Sequence, residues 1–427
     1  MPSRRAVLLT LLLSAPAFSQ TLARPGWVGS GMSASPWWKH AVIYQANPSG
    51  FNDIQGITKR LDYLHSLGID ALLLTPLQPD PAHAHAQTID PTLGTLDDLD
   101  DLIHQASRNN IRVLLELDPH TPDPTAAARF WLNRGIAGFH ITSTNATTSQ
   151  IADLRKLTSS YVGQRILITD PTPDPQPKPA STRETPQLLL NPTIATSTQL
   201  NTTAIRTTIE ATQDTLQSSR NMPVLLTDGP AYPRSFTRFG DGKHDLEIAK
   251  ILATILLTTR SAALIYHGQE LGLPADSDPA TAIHWDAPPA PAKGKTALPP
   301  DPANPNVALQ DADPQSLLNW YRQLSALHHS NSTINAGANI TLNHDDQNVL
   351  TWVRKPQAVT AISPAIVVIC NLSAQPAQIS LKDDMQRLRL KGSFLRAILR
   401  SDNATGPMHL ESMTIPPYGV YIGELRY

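Results

Sequence analysis

The chain has 427 residues, enough for one large domain and a smaller one. Its 34 Lys and Arg against 36 Asp and Glu leave a formal net charge of −2, so no basic surface for nucleic acid is expected. Cys370 is the only cysteine, which excludes an intrachain disulfide. The composition therefore indicates a globular protein that is stable without disulfides and does not bind nucleic acid through a basic surface.

The N-terminus has the pattern of a secretory signal. Arg4 and Arg5 precede an apolar run, Ala6–Leu13, and small residues follow up to Ser19. The apolar run is too short to cross a bilayer, and no later segment is long and apolar enough to do so. The sequence predicts a signal peptide over residues 1–19, a linker over 20–35, and export to the periplasm or the outside of the cell.

From residue 36 onwards, apolar strand patterns alternate with helical patterns. The predicted strands are Ala41–Tyr44, Ile69–Leu74, Ile111–Leu117, Ile136–Ile141, Ile166–Ile168, Leu188–Leu190, Val224–Leu226 and Ala263–Tyr266. The clearest predicted helices are Ile57–Leu67, Thr95–Asn109 and Asp123–Asn133. This alternation favours an α/β fold, a (β/α)8 TIM barrel over residues 36–332, rather than an open doubly wound sheet.

The pattern changes at about Thr333, where strands follow one another without helices. The clearest of these strands are Asn348–Val353, Ile366–Cys370 and Gly419–Ile422. Such a run predicts a separate, small all-β sandwich domain over residues 333–427.

Several segments, taken in order, resemble the α-amylase family (glycoside hydrolase family 13), in particular its oligo-α-glucosidase branch. They are Trp37–Gln45, Ile89–Thr95, Arg129–Gly135, Tyr266–Gly272 and His284–Asp286. The resemblance implies a TIM barrel followed by a β domain, without the domain that the family inserts between His120 and the helix before Gly138. It also implies retaining cleavage of α-glucosidic bonds by two carboxyl groups about 5–5.5 Å apart.

The residues at the family's catalytic positions are largely replaced. Where the family has its nucleophilic aspartate, at the end of the segment that begins at Gly138, this chain has Thr142. A threonine hydroxyl without an activating base is a poor nucleophile. The position of the transition-state stabiliser falls on Ala231 or Pro230, depending on the alignment, and the acid/base position falls on Asp170. The resemblance thus implies a maintained scaffold with degenerate catalytic machinery.

Polar residues follow three of the predicted barrel strands. Asp118, Asp170 and Asp228 come near the carboxyl ends of strands, the face where barrel active sites assemble, and His120 and His140 lie close to them in sequence. They predict either a relocated acid–base site or carboxylates that only cap loops. Asp170 is the candidate catalytic residue, and the other four are candidate substrate-binding residues.

His83 and His85 alternate along a loop, but a third metal ligand is not evident, so we expect a solvated loop there and neither a metal nor a cofactor.

Three functions are compatible with these residues. The favoured hypothesis is an exported protein of carbohydrate metabolism that binds an α-glucan, an α-glucoside or a protein partner at the barrel mouth without hydrolysis. The alternative is an active α-glycosidase or transglycosidase that uses Asp170 and a relocated second carboxylate. The third is a structural or assembly role. Aromatic side chains at the mouth would favour the first, a suitably spaced carboxyl pair the second, and a broad apolar patch the third.

Overall fold

The computed structural model describes residues 36–78, 87–141, 146–171, 185–218, 221–274, 282–286, 305–360, 363–402 and 404–427. The predicted signal peptide and linker lie outside these ranges and stay predictions. Thr142, His83 and His85 also lie outside them.

Eight parallel strands close into a barrel in chain order, and the first strand pairs with the eighth. They are β1 (Val42–Ala46), β2 (Ala71–Leu74), β3 (Arg112–Leu117), β4 (Gly138–Ile141), β5 (Ile166–Thr169), β6 (Leu188–Asn191), β7 (Met222–Leu226) and β8 (Ala262–Tyr266). Every strand that the apolar runs predict is present, with ends that differ by one or two residues. The predicted TIM barrel is confirmed.

The helices of the barrel lie between and after these strands. They are α1 (Ile54–Lys59), α2 (Leu61–Ser66), α3 (Leu96–Arg108), α4 (Pro124–Asn133), α5 (Thr148–Ser159), α6 (Thr193–Thr196), α7 (Thr202–Ser218), α8 (Ser235–Arg238), α9 (Asp245–Thr258), α10 (Val307–Ala312) and α11 (Leu317–Ser330). The single helix predicted over Ile57–Leu67 is wrong, because the chain leaves helical geometry at Arg60 (φ −109°, ψ 13°) and starts α2 afterwards. In the described part of the chain, no helix is both long and apolar enough to cross a membrane.

Side chains along the barrel strands alternate between two apolar clusters. One cluster fills the barrel interior with residues such as Ile43, Leu114, Ile168 and Leu226. The alternate residues, such as Tyr44 and Leu115, belong to the larger cluster that holds the helices against the strands. Since successive side chains of a strand point to opposite faces, this alternation identifies which residues face inwards. The interior is a packed aliphatic core rather than a pore.

The C-terminal region is an antiparallel β structure, as predicted. A six-stranded sheet has the order β14-β13-β16-β11-β10-β9, and β12 pairs with β15 separately. The strands are β9 (Ala338–Leu342), β10 (Val349–Lys355), β11 (Ile366–Asn371), β12 (Ala377–Ile379), β13 (Phe394–Arg400), β14 (Met408–His409), β15 (Met413–Ile415) and β16 (Val420–Arg426). The expectation that this region has no helices is wrong. It starts with α12 (Ser332–Ala336), which Asn331 caps through Thr333 N and Ile334 N, and it contains α13 (Lys382–Arg387).

The β region shares a core with the barrel. Residues of β10, β11 and β16, including Trp352 and Val368, belong to the same apolar cluster as the outer face of the barrel. Two buried arginines cross this contact: Arg354 donates to Thr258 O, at the end of α9, and Arg206 of α7 donates to Asp346 O. Residues 36–427 form one compact unit. The predicted boundary at residue 333 therefore lies within a continuous core.

Candidate site at the barrel mouth

A cluster of three ionisable side chains lies at the carboxyl ends of β3, β4 and β5. Glu116 and His140 are register partners on adjacent strands, and His140 is the partner of Ile168, two residues before Asp170. All three alternate with outward-facing residues, so they occupy the inward positions above the aliphatic interior. We call Glu116, His140 and Asp170 the carboxylate–histidine cluster.

His140 lies between the two carboxylates of this cluster. Its Nδ1 is 3.1 Å from Glu116 Oε1, and its Nε2 is 3.1 Å from Asp170 Oδ1, with only 6% of the histidine side chain exposed. Burial by itself lowers the pKa of His140, but the hydrogen bonds and charges of Asp170 and Glu116 outweigh burial and raise this pKa to about 9. At neutral pH, His140 is therefore an imidazolium that donates a hydrogen bond to each carboxylate.

Asp170 is the most accessible member of the cluster, with 28% of its side chain exposed. Its Oδ1 accepts a hydrogen bond from His140 Nε2, so this oxygen acts as an acceptor. A general acid for glycoside cleavage must carry a proton at the working pH. Glu116, with 12% of its side chain exposed, lies on the opposite side of the imidazole ring. The ring thus occupies the space between these carboxylates, where a glycosidase pair needs the sugar or a water molecule.

Asp118 and His120 form a local turn after β3. Asp118 Oδ1 accepts a hydrogen bond from the backbone N–H of His120 at 2.9 Å and lies 3.0 Å from its Nδ1. The His120 side chain is 56% exposed. Asp118 therefore stabilises its own loop, as expected of an aspartate just after a strand, while the His120 ring remains open to solvent.

Asp228, after β7, is 1% exposed. Its Oδ1 accepts a hydrogen bond of 2.7 Å from Ser235 N, the first residue of α8. Burial raises the pKa of Asp228, although the hydrogen bonds from Ser235 and the charge of Arg234 act in the opposite direction. This geometry fits the loop-capping alternative better than contact with a ligand. Pro230 and Ala231, which follow in an exposed turn, carry no carboxylate.

Two residues of the site escape prediction from the sequence. Glu116 follows three aliphatic residues of β3, and its charge at an inward position of the alternation was the available signal. Tyr232 lies in the loop after β7, where no periodic pattern marks it. Burial raises the pKa of Tyr232, and the charge of Asp170 raises it further.

Another carboxylate at this end of the barrel, Glu270, is fully buried. It follows β8, and its Oε1 accepts hydrogen bonds from Tyr44 OH at 2.8 Å and Tyr63 OH at 2.7 Å. Burial raises the pKa of Glu270, and burial likewise raises that of both tyrosines. The neighbouring Gln269 donates to Thr227 Oγ1 at 2.7 Å. These contacts tie β8 to β1, α2 and the end of β7 and leave Glu270 without access to a ligand.

The described residues offer no metal cluster at this mouth, and a cavity is found in another part of the molecule. Among the described residues, no group of three His, Cys, Asp or Glu is arranged to hold a metal ion. A cavity of about 560 Å³ lies instead in the C-terminal region, where its lining includes Lys382, Leu390 and Glu411. Lys382 and Glu411, both in this lining, form an ion pair with each other.

Comparison with known proteins relates this chain to sugar-processing enzymes and to a transporter subunit. A family model described as the α-amylase catalytic domain matches residues 42–126. The trehalose-6-phosphate hydrolase of Escherichia coli is 42% identical over 113 residues, which cover 23% of this chain and 20% of that protein. The amino acid transporter heavy chain of Oryctolagus cuniculus is 26% identical over 366 residues, 73% of this chain and 65% of that protein. The family match ends before His140 and Asp170.

Solved structures extend the likeness to the whole fold. The trehalose-6-phosphate hydrolase of Bacillus licheniformis superposes with a TM-score of 0.76 at 16% identity, covering 92% of this chain and 100% of that one. The isomaltulose synthase of a Klebsiella species gives a TM-score of 0.76 at 18% identity, with the same coverage of both chains. At such identities the likeness establishes the fold and leaves the chemistry to be argued from the site.

Proposed function

Because the chain is a relative of the α-amylase family, we propose that it binds an α-glucan or α-glucoside at the barrel mouth and no longer cleaves it. The observation that carries this proposal is the carboxylate–histidine cluster. In a cleaving enzyme of this family, one carboxyl group gives a proton and another attacks the sugar. In this cluster His140 holds the proton and separates the two carboxylates. Such an arrangement supports binding of hydroxyl groups by Asp170.

The sequence supports the same proposal independently. By the family resemblance, the nucleophile position falls on Thr142 and the stabiliser position on Ala231 or Pro230, and none of these side chains is a carboxylate. The aliphatic barrel interior and the packed helices are nevertheless intact. A maintained scaffold without its catalytic groups is typical of a protein that retains binding or assembly as its function.

The test measures sugar release and sugar binding on the same preparations. The panel is maltose, maltotriose, sucrose, an aryl α-glucoside and trehalose 6-phosphate. We expect no release above the blank over days at high protein concentration, and we expect calorimetric binding of maltotriose that Asp170→Asn weakens. Asp97→Asn, which changes an exposed carboxylate on α3, is the matched control and should bind like the wild type.

An active α-glycosidase remains the second candidate, because several relatives are named as hydrolases or glucosidases. In this candidate Asp170 supplies the acid, and a second carboxylate from elsewhere at the mouth replaces Thr142. Release of sugar by the wild type that disappears in Asp170→Asn but persists in Asp97→Asn would establish this function and contradict the proposed loss of hydrolysis.

A protein partner is supported by a different comparison. The transporter heavy chain aligns over 73% of this chain, a larger share than the hydrolase of Escherichia coli does. Its name describes a subunit of an assembly rather than an enzyme. Purification of the full chain from its native source by size exclusion would test this candidate, since a mass well above that of the 46.4 kDa monomer would identify a stable complex.

We also propose that the chain is exported. The pattern of Arg4, Arg5 and the apolar run up to Leu13 supports this, and the proposal predicts removal of residues 1–19. Mass spectrometry of the protein from its native cells would give a mature form that starts at Gln20. A form that retains Met1 and stays inside the cell would contradict export.

A further inference from the structure

The cavity of about 560 Å³ in the C-terminal region lies beside α13 and has an apolar base. The base consists of Met385, Leu390 and Leu410, which belong to the core of this region and are at most 7% exposed. The volume lies within the range of about 300–1,000 Å³ that is typical of small-molecule sites. None of the lining residues belongs to the carboxylate–histidine cluster, so this cavity is a separate candidate site.

Backbone hydrogen bonds hold the walls of the cavity together. Leu381 N, immediately before α13, donates to Leu410 O at 2.8 Å, just after β14. Leu410 N donates to Ser393 O at 3.1 Å, and Ser393 N donates to Arg426 O at 2.8 Å, which joins the same wall to β16. A cavity fixed in this way is largely formed before a ligand binds, which reduces the entropic cost of binding.

The ionisable side chains of the lining leave a net positive charge. Lys382 Nζ lies 2.6 Å from Glu411 Oε1, so the charges of these two residues compensate each other. Lys391 also lines the cavity, and among the described residues its ammonium group has neither an ion-pair nor a hydrogen-bond partner. Protonation of His409, the remaining ionisable group of the lining, would only add to this positive charge.

The polar groups of the lining favour a ligand that accepts hydrogen bonds. The side chains of Lys391, Gln386 and Ser393 can all donate, and none of the three has a partner within the described ranges. The carboxylate of Glu411 already accepts from Lys382. A ligand carboxylate can accept from these donors and pair with Lys391, whereas a ligand ammonium group would be repelled by it.

We infer that this cavity binds a small organic anion, a carboxylate that pairs with Lys391 and carries an apolar body packed on Met385, Leu390 and Leu410. The charge of the lining selects the anionic group, and the buried base selects the apolar body. The inference does not depend on sugar binding at the barrel mouth, because the two sites share no residue and suit ligands of different chemistry.

Octanoate is the probe, because it joins a carboxylate to an unbranched apolar chain. Carbon-13 NMR of the methionine methyl groups in the full chain shows where it binds, with the Met385 signal assigned by Met385→Leu, which nearly conserves volume. We expect a saturable shift of the Met385 signal and an unchanged signal for Met222, which lies in the barrel interior. Octylammonium, which has the same chain and the opposite charge, should bind at least about tenfold more weakly.

Two variants change the cavity in different ways. Lys391→Glu reverses the charge that lacks a partner and should weaken octanoate binding at least about tenfold. Gln386→Trp, at an exposed position of α13, adds a large ring to the lining and should weaken binding by occupying the space of the apolar body. Lys156→Glu, at an exposed lysine of α5, changes the net charge of the protein as much as Lys391→Glu does and should bind octanoate like the wild type.

Each of these measurements can overturn the inference. A Met385 signal that octanoate does not shift would show that the cavity does not bind it. Equal affinity for octanoate and octylammonium, or equal affinity of the wild type and folded Lys391→Glu for octanoate, would contradict selection of an anion. Unchanged binding by folded Gln386→Trp would place the ligand outside the cavity. Near-ultraviolet circular dichroism of each variant verifies that it is folded, and none of these outcomes bears on maltotriose binding at the barrel mouth.

Discussion

Glu270 and Asp170 lie at the same end of the barrel, yet their surroundings give them different roles. Glu270 is fully buried, accepts hydrogen bonds from two tyrosine hydroxyls and joins β8 to β1 and α2. Asp170 accepts one hydrogen bond, from a buried imidazolium, and keeps part of its side chain in solvent. Among the described residues Glu270 Oε2 also has no hydrogen-bond partner, so access to solvent, rather than an unoccupied oxygen, is what makes Asp170 the functional candidate of the two.

The largest expected effect is the loss of stability on substitution of the buried carboxylate, Glu270. Glu270→Ala leaves the hydroxyls of Tyr44 and Tyr63 buried without their acceptor and opens a cavity. Each unsatisfied buried group costs about 1–3 kcal/mol, so we expect the free energy of unfolding to fall by about 3–5 kcal/mol in urea titrations. Glu411→Ala removes a carboxylate that only forms a surface ion pair with Lys382, and it should leave the urea midpoint unchanged. Equal midpoints for the two variants would contradict the structural role of Glu270.

The next effect depends on pH. The pKa of His140 is raised from 6.5 to about 9 in the folded protein, so its stabilisation is fully present below pH 6.5 and is lost as the pH rises through about 9. The difference in unfolding free energy between the wild type and His140→Gln should therefore shrink over this range, by on the order of 3 kcal/mol. Urea titrations from pH 6 to pH 10 measure it.

His120→Gln, at an exposed histidine, is the control for this pH series and should keep the wild-type profile. A constant difference between the wild type and His140→Gln across the range would show that His140 does not carry the proton in the cluster.

A smaller effect on stability is expected at Asp170. Asp170→Asn keeps an oxygen that can accept from His140 Nε2 but removes the charge, and the side chain is partly exposed. We expect a loss of about 1 kcal/mol in unfolding free energy together with a clear loss of maltotriose binding. The measurement compares the loss of unfolding free energy with the loss of maltotriose binding in the same variant. Glu270→Gln should show the reverse, with a large loss of stability and little loss of binding. A large stability loss at Asp170 without any loss of binding would remove the distinction between the two carboxylates.

The smallest effect on stability is expected at Tyr232. Tyr232→Phe removes a hydroxyl that is partly exposed and keeps the ring on Gly229. Its thermal midpoint should match that of the wild type, with a change in unfolding free energy within about 0.5 kcal/mol. A marked destabilisation would mean that the hydroxyl has a structural partner, and Tyr232 would then belong with Glu270 rather than with Asp170.

Features of the fold that depend on local pattern were predictable. The barrel strands are short apolar runs such as Ile166–Thr169. Parallel strands that are buried on both faces generally have such continuous apolar sequences. The break between the two helices at Arg60 was not predictable. The apolar residues keep their helical spacing across a one-residue break, so the sequence pattern is the same with or without it.

The site was predictable only in part, for a physical reason. The positions of His140 and Asp170 at strand ends follow from the pattern. The contacts of His140 with Glu116 and with Asp170 depend on the register between strands, because these partners lie 24 and 30 residues away from it in the chain. Burial also depends on packing between distant segments, which is why the sequence predicted a substrate-binding role for Asp228 although its side chain is buried. Position along a strand is thus a local property, whereas accessibility and partners are properties of the assembled barrel.

The most direct test of the account is the protonation state of His140 at neutral pH. Nitrogen-15 NMR of the histidine side chains, with His140 assigned by the signal that His140→Gln removes, reports this state over a pH titration. The account predicts that both ring nitrogens are protonated at pH 7 and that His140 titrates near pH 9. A neutral His140 ring at pH 7 would contradict it, because Asp170 could then carry the proton and serve as the acid of an active glycosidase.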